Sequence, residues 1–244
     1  QVSMEGGKET NDAIRGSGSY ERTVEALRCL IRERVPSSIS FTAHRDNFRE
    51  FPRVVQLGCE LGVNKVWADR LIPCGSGSSL GDKTLTPEET RELFEIMYQA
   101  RSEAGRVPGK TAVSLERALQ FLVGGGVPYR CAAGKNLVTV LPNGDLLPCR
   151  RMPIRVGNLL DTPLLDLYRN DPLFLALRDQ GTSDGKCGRC TFSDQCRGGL
   201  RCLSYAMTGD PFHRDPGCWR PAASDISGRD AGGKPELLPV DLPG

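Results

Sequence analysis

The residues in this chain that could do chemistry are thiols. The stretch from Cys187 to Cys218 holds five of the ten cysteines, spaced C-x2-C-x5-C-x5-C with a last Cys after fifteen more residues. A second pair, Cys131 and Cys149, lies upstream, the latter closing the run LPNGDLLPC. Thiolates that ligate a metal must converge within about 2.3 Å of it. A C-x2-C turn puts two of them on one side of a tight loop, and Cys187 with Cys190 is such a pair. Cys196 follows at a distance a short loop can return. Arg197-Gly198-Gly199 then offers backbone free to fold closely around metal or sulfide. The seven thiols exceed the four that one site takes. The pattern needs two metal centres, or one centre and idle thiols. Spacing alone leaves zinc and iron–sulfur nearly even. Disulfides are a third reading, suited to a shorter, loop-rich secreted scaffold. Long amphipathic helices precede the cysteines here, and C-x2-C pairs in that setting are more often metal ligands. A reduced, cytoplasmic protein is therefore expected.

The elements that must position these thiols can be read from bulk properties and from patterning. A chain of 244 residues can bury a real core and carry two domains. Its charge is nearly balanced, +2 from 32 basic and 30 acidic residues. That balance argues against nucleic acid or an anionic membrane surface as the main partner. No apolar window is long enough for a membrane span, and no signal peptide is expected.

Taken in order, residues 1–6 read as the end of a strand, followed by a Gly- and Asn-rich loop, GKETNDAIRGSGS. Ser19 precedes a helix whose Val24, Leu27, Leu30 and Ile31 keep helical spacing, with Pro36 ending it. Residues 38–43 alternate and predict a strand. Asp46 and Asn47 are candidate caps for a helix over 48–61, with Gly62 at its C-terminal cap. Residues 64–73 predict the next strand. Thr86-Pro87-Glu88-Glu89 is a strong helix start, for a helix reaching about Ala104. A further helix is predicted from Ser114 to Val123. Repeated βα units imply a parallel sheet with helices outside it and ligands at the strands' C-terminal ends. Those ends are Ser3–Gly6, Thr42–Arg45 and Leu71–Gly77. Three strands are too few for a closed barrel, so preceding βα units are expected to be missing. After Gly126 the character changes. Asn143-Gly144 predicts a hairpin between short strands at 137–141 and 146–147. Helical pieces follow at 163–168 and 172–179. From residue 221 the composition predicts a disordered tail.

Three features resemble one family. Cys131-x12-Gly144-x4-Cys149, then Cys187-x2-Cys190-x5-Cys196, then Cys218 after Asp215-Pro216, resembles the SPASM domain of radical S-adenosylmethionine enzymes. QVSMEG resembles the family's fourth-strand segment and NDAIRG the segment that follows it. RLIPCGSG at 70–77 is similar to the loop after the family's sixth strand. The resemblance covers about residues 1–220. It implies an α/β fold in which residues 1–126 are the C-terminal part of a partial (β/α)6 TIM-like barrel, strands four to six. Residues 127–220 would then form a small Cys-rich α+β SPASM domain with two auxiliary 4Fe–4S clusters. Carried over by position, Cys187, Cys190, Cys196 and Cys218 ligate the distal cluster, and Cys131, Cys149 and Cys202 the proximal one. Here the sequence departs from the pattern. The ligand expected at position 200 is Leu200, with Cys202 two residues on, so the proximal cluster is left with an open iron that could take a substrate thiolate or water. The larger departure is that the C-x3-C-x2-C that holds the S-adenosylmethionine-cleaving cluster is absent. A fragment beginning at strand four is expected, the alternative being a degenerate relative, and the chain by itself is not expected to do radical chemistry.

By this resemblance the intact protein is an oxidoreductase-type radical enzyme. It uses S-adenosylmethionine, a third 4Fe–4S cluster and an electron donor such as flavodoxin or ferredoxin. The substrate expected is a peptide, as in peptide maturation; a tetrapyrrole- or cofactor-pathway substrate is the alternative. A zinc-stapled binding module without catalysis is the reading from another class. Ser3 resembles the family Ser that approaches S-adenosylmethionine, a loop Ser being the even alternative, and Arg15 is a candidate for its carboxylate, though capping a loop is its plainer reading. Cys74 sits at a strand end facing the expected site. Cys29 and Cys59 are expected to be packed core thiols, His44 a structural hydrogen-bonder, His213 a surface residue and Asp145 a turn residue.

Overall fold

A computed structural model of the chain describes residues 1–106, 111–179, 185–188 and 190–221. The first half is built of βα units. Strand β1 (Val2–Ser3) leads to α1 (Lys8–Arg15) and α2 (Ser19–Arg32). Then come β2 (Ser38–Ala43), a 3-10 turn at Phe48–Glu50 and α3 (Phe51–Leu61), then β3 (Lys65–Arg70), a 3-10 stretch at Gly75–Lys83 and α4 (Pro87–Ala104). Strand β4 (Ala112–Ser114) and the short α5 (Phe121–Gly124) close this part. The strands lie in the order β1-β2-β3-β4 and every pair is parallel. This is the expected α/β architecture, a partial TIM-like barrel followed by a small Cys-rich α+β domain.

The alternation along the strands sorts their residues onto two faces. Ile39, Phe41, Ala43, Val66, Ala68 and Val113 pack with Val24, Leu27, Val54, Leu93 and Met97 of the helices in one buried core. The opposite face carries Ser38, Ser40, Thr42, Lys65, Trp67, Asp69 and Ser114, residues that line two open cavities. Barrel interiors are usually filled by branched apolar side chains. A face of hydroxyls and charges is instead suited to hold a ligand.

Several sequence expectations need correction. Residues 8–15, expected as loop, form α1. That helix has little apolar surface and is held by polar contacts: buried Asn11 accepts from Glu5 N (2.9 Å) and donates to Ser19 Oγ (2.9 Å). Asp12 accepts from Gly18 N and Tyr20 N. The helix expected from Ser114 is mostly not one: 112–114 is the fourth parallel strand, with Val113 its one core residue, and only Phe121–Gly124 is helical. Asn47 stands at the N-cap position of the 3-10 turn, but its side chain does not cap it. It is buried, donating to Glu5 O and Thr42 O while accepting from His44 N, so it ties β2's end to β1's. Asp46 pairs with Lys83. Cys29 is not a core thiol; it is partly exposed between Glu25 and Arg32. Cys59 does pack against the core. His44 accepts from Asp46 N, as a structural role requires, and His213 is exposed.

The second half is a small antiparallel sheet, β5 (Thr139–Val140), β6 (Asp145–Leu147) and β7 (Gly157–Asn158), the last not foreseen. Gly144, at φ 86°, makes the expected turn. Helices α6 (Leu164–Asn170), α7 (Pro172–Asp179), α8 (Gly185–Gly188), α9 (Ser193–Cys196) and α10 (Arg201–Thr208) follow. The expected tail lies outside the described residues beyond Pro221. Among the described residues no helix is long and apolar enough to cross a membrane.

Thr86 forms a complete capping box, its hydroxyl accepting from Glu89 N (3.1 Å) while Glu89 Oε2 accepts from Thr86 N (2.8 Å). Replacing Thr86 by Ala is expected to destabilise the chain by about 1 kcal/mol, read as a lower midpoint in urea with an unchanged slope.

Candidate metal centre

The thiols form two groups. Cys187, Cys190, Cys196 and Cys218 line one cavity with about 370 Å³ of open space. Local backbone brings them there. Cys190 N donates to Cys187 O (3.0 Å), closing a tight turn between the pair. Helix α9 carries Cys196, and Arg197, Gly198 and Gly199 follow at φ 53°, 86° and 80°. Three successive left-handed residues reverse the chain sharply, which two glycines make cheap. Phe121 of α5 and Phe192, stacked edge-on at 5.7 Å, form an apolar wall of the same cavity. Burial pushes the Cys196 thiol up to about 12, with Cys218, Asp215, Cys187 and Cys190 adding to it.

The second group is Cys131, Cys149 and Cys202. These side chains pack into a second buried core with Leu146, Met152, Phe174, Leu200 and Leu203. Burial raises the Cys202 thiol to about 12, reinforced by Cys131, and burial raises Cys131 as well. Arg151 N donates to Cys149 Sγ (3.5 Å). Arg151 Nη1 also donates to Asp69 Oδ2 (2.8 Å), so this group is tied to β3. Position 200, a ligand position in the related pattern, is filled by a buried Leu.

Between the groups lies an ion pair that the sequence reading missed. Arg70, at the end of β3, donates from both Nη1 and Nη2 to Asp215, each at 2.7 Å. The side chains are 3% and 1% exposed. Burial opposes the guanidinium charge, but Asp215 outweighs it and raises Arg70 above its ordinary value. Asp215 also accepts from Leu200 N (2.8 Å) and Gly217 N (2.9 Å), and its carbonyl accepts from Cys218 N (3.0 Å). One carboxylate thus fixes the corner between Cys196 and Cys202 and the turn into Cys218. The available signals were the Arg of RLIP and the Asp two residues before Gly217, but nothing in the sequence joins them.

The strand-end cavity, with about 700 Å³ of open space, is lined by Ser3, Ser40, Thr42, Asp69, Cys74 and Arg150 among others. Ser3 Oγ lies 3.2 Å from Ser40 Oγ. Arg15 pairs with the buried carboxylate of Glu5 and is not among the lining residues. Glu5 Oε2 in turn accepts from Thr42 N (2.7 Å).

Residues 131–191 match a family described as the SPASM iron–sulfur cluster-binding domain. Residues 131–191 are thus similar to a SPASM domain, and similarity to curated proteins extends along most of the chain. The chain is 27% identical over 237 residues to an AdoMet-dependent heme synthase of Methanosarcina barkeri, covering 90% of this chain and 67% of that one. It is 28% identical over 205 residues to a PqqA peptide cyclase of Gluconobacter oxydans, covering 82% of this chain and 56% of that one. In structure it matches Streptococcus suis SuiB bound to precursor peptide SuiA, with a TM-score of 0.64 at 17% identity over 88% of this chain and 52% of that one. The chain therefore spans roughly half to two thirds of the length of these relatives.

The SPASM match includes Cys131, Cys149, Cys187 and Cys190; Cys196, Cys202 and Cys218 lie beyond it. The donor set fits iron–sulfur clusters. All seven residues are thiols, and buried thiols that raise one another need cations to become thiolates. Among the described residues no three Cys, His, Asp or Glu side chains gather tightly enough for a single metal ion.

Asp215→Asn would leave the Arg70 charge buried and unpaired. Breaking such a pair is expected to cost about 3–5 kcal/mol, read as a lower thermal midpoint. Gly217→Ala is expected to act in the same direction, because its Cβ would lie 2.2 Å from Arg70 Nη1 and 2.7 Å from Thr90 Oγ1. An unchanged midpoint in both would remove this ion pair from its central place.

Proposed function

We propose that this chain belongs to a radical S-adenosylmethionine enzyme, residues 1–126 contributing barrel strands and 127–220 an auxiliary domain with two 4Fe–4S clusters. Cys187, Cys190, Cys196 and Cys218 would hold the distal cluster, and Cys131, Cys149 and Cys202 the proximal one, with one iron free of protein ligand. The observation that carries this is the sorting of seven thiols into a set of four around one cavity and a set of three in a second core. Bound clusters would supply one-electron transfer and, at the free iron, a position for a substrate atom.

The chain's own residues have separate tasks. The hydroxyls of Ser3, Ser40 and Thr42 line the strand-end cavity, where they can orient a ligand by hydrogen bonds. Arg15 holds Glu5, and Glu5 fixes Thr42. Arg151 and Asp69 join that cavity to the proximal thiols. A peptide substrate is our reading, supported by the relative named PqqA peptide cyclase. The tetrapyrrole reading has its own support. A relative is named heme synthase, and Arg150 lines the cavity exposed, in no ion pair among the described residues, where a guanidinium suits a carboxylate. The intact protein would draw electrons from a flavodoxin or ferredoxin in the cytoplasm.

Anaerobic reconstitution of the chain should give about eight irons, and Cys187→Ser with Cys190→Ser about half of that. Zinc in place of iron would defeat the cluster reading. In the latter variant a small added thiol should change the EPR spectrum; an unaltered spectrum would sink the open iron. A propionate-bearing porphyrin that binds the chain, and binds it less well after Arg150→Ala, would move the substrate from peptide to tetrapyrrole. No porphyrin binding would leave the peptide reading in place.

A further inference from the structure

Among the strand residues on the polar face of the sheet, Trp67 is the one aromatic side chain. Parallel pairing sets it in a single row with Ser40 and Ser3 on one side and Ser114 on the other. It lines both open cavities of that face. One is the strand-end cavity; the other, with about 680 Å³ of open space, lies toward the strand starts and takes in Lys65, Ser114 and Arg117. Inward barrel positions usually carry branched apolar residues packed against their layer neighbours. Here the neighbours in the row are serines, too short to cover an indole, and Trp67 stays half-buried. Its orientation is fixed from below. The Arg117 guanidinium lies over the ring, 4.5 Å from its centre, a cation–π contact. Asp69, the next inward residue of β3, anchors that guanidinium: its Oδ2 lies 4.0 Å from Arg117 Nε while accepting from Arg151 Nη1 at 2.8 Å. Arg117 lines the lower cavity and not the strand-end one. The strand-end cavity therefore meets the indole from the side that the guanidinium leaves free.

The chemistry of this place selects its ligand. A fixed indole favours a second planar ring, stacked with an offset or edge-on. The hydroxyls of Ser40 and Thr42 and the exposed guanidinium of Arg150 in the same cavity favour a ring that also carries hydrogen-bonding or carboxylate groups. Ser3, the position that resembles a contact of S-adenosylmethionine, is two strand spacings from Trp67, about 10 Å. Trp67 stands instead on β3, the strand that Asp69 and Arg151 tie to the three-thiol group. We infer that Trp67 is a specificity-determining platform of the strand-end cavity: it stacks a planar ring of the substrate, with Arg117 as its brace. This rests on reading that cavity as the substrate's place. A planar ring is the chemistry common to the two substrate classes above, as an aromatic side chain of a peptide or a pyrrole of a tetrapyrrole.

The test uses the full chain in calorimetric titrations. N-acetyl-L-tyrosine and deuteroporphyrin carry a ring and a carboxylate, N-acetyl-L-leucine carries the carboxylate without a ring, and adenosine stands for the cofactor's nucleoside. The expected result is that a ring-bearing acid binds, loses about fivefold in affinity in Trp67→Leu and regains most of it in Trp67→Phe, while N-acetyl-L-leucine binds all three chains alike. The acid that responds names the source of the ring. Ring-bearing acids that bind the chain and Trp67→Leu equally would overturn the proposal, as would binding of neither. A loss confined to adenosine would give the indole to a nucleoside and overturn the substrate assignment. The unmodified chain supplies a second measurement that no misfolded variant can confuse. The bound acid should shift the indole N–H resonance of Trp67 and leave that of Trp219, whose ring is packed on Phe94. Shifts at the Ser40 and Thr42 amides without one at Trp67 would overturn the platform and keep the cavity as the binding place. Shifts at none of the three would overturn both.

Discussion

The Arg70–Asp215 ion pair is the constraint around which both thiol groups are arranged. It joins the end of a barrel strand to a turn 145 residues away. Two charges out of water cost several kcal/mol each before their attraction and hydrogen bonds are counted. Here the geometry meets that cost: the guanidinium is bidentate, and backbone amides of Leu200 and Gly217 take the remaining carboxylate lone pairs. Such a pair contributes little net stability compared with well-packed apolar residues. What it contributes is position. An apolar pair could fill the same volume, but it could not hold the amide of Leu200 and the amide of Gly217 on one atom group. The glycines follow from it. A Cβ at Gly199 would lie 2.5 Å from Asp215 Oδ2, and one at Gly217 would meet Arg70.

The two cores meet across this pair. Cys196, Cys218 and Trp219 pack against the core of the barrel strands, with Trp219 edge-on to Phe94 of α4 at 6.0 Å. Cys131, Cys149 and Cys202 belong to the second core. The Cys-rich segment from 187 onward is therefore shared between both, and its corner at 198–200 is where the chain passes from one to the other. The two thiol groups need not be equivalent. The distal set surrounds a cavity with an aromatic wall. The set of three faces β3 through Arg151 and Asp69, toward the polar side of the sheet.

Much of the local structure was legible because the signals are local. The Thr86 capping box, the Asn143-Gly144 hairpin and the helical spacing of Val24, Leu27 and Ile31 each lie within a few residues. The Cys spacing exposed the candidate ligands, and its likeness to a known pattern separated them into sets. The elements that were misread depend on distant partners. Helix α1 has almost no apolar stripe, and its Asn11 and Asp12 are satisfied by Glu5, Ser19 and Tyr20. Strand β4 has a single core residue, and its pairing with β3 is what defines it. The Arg70–Asp215 pair was invisible for the same reason. Charged residues read as surface until a fold brings the rest of the chain over them.

The electrostatics of the thiols point the same way as their placement. Burial alone makes the Cys196 and Cys202 thiolates costly, and each is made costlier by the other thiols in its group. Natural cores do not gather buried thiols for packing, since any small apolar residue would pack as well without mutual repulsion on ionisation. The arrangement becomes favourable when cations enter, because ligation deprotonates each thiol and replaces repulsion between them by attraction to a common centre.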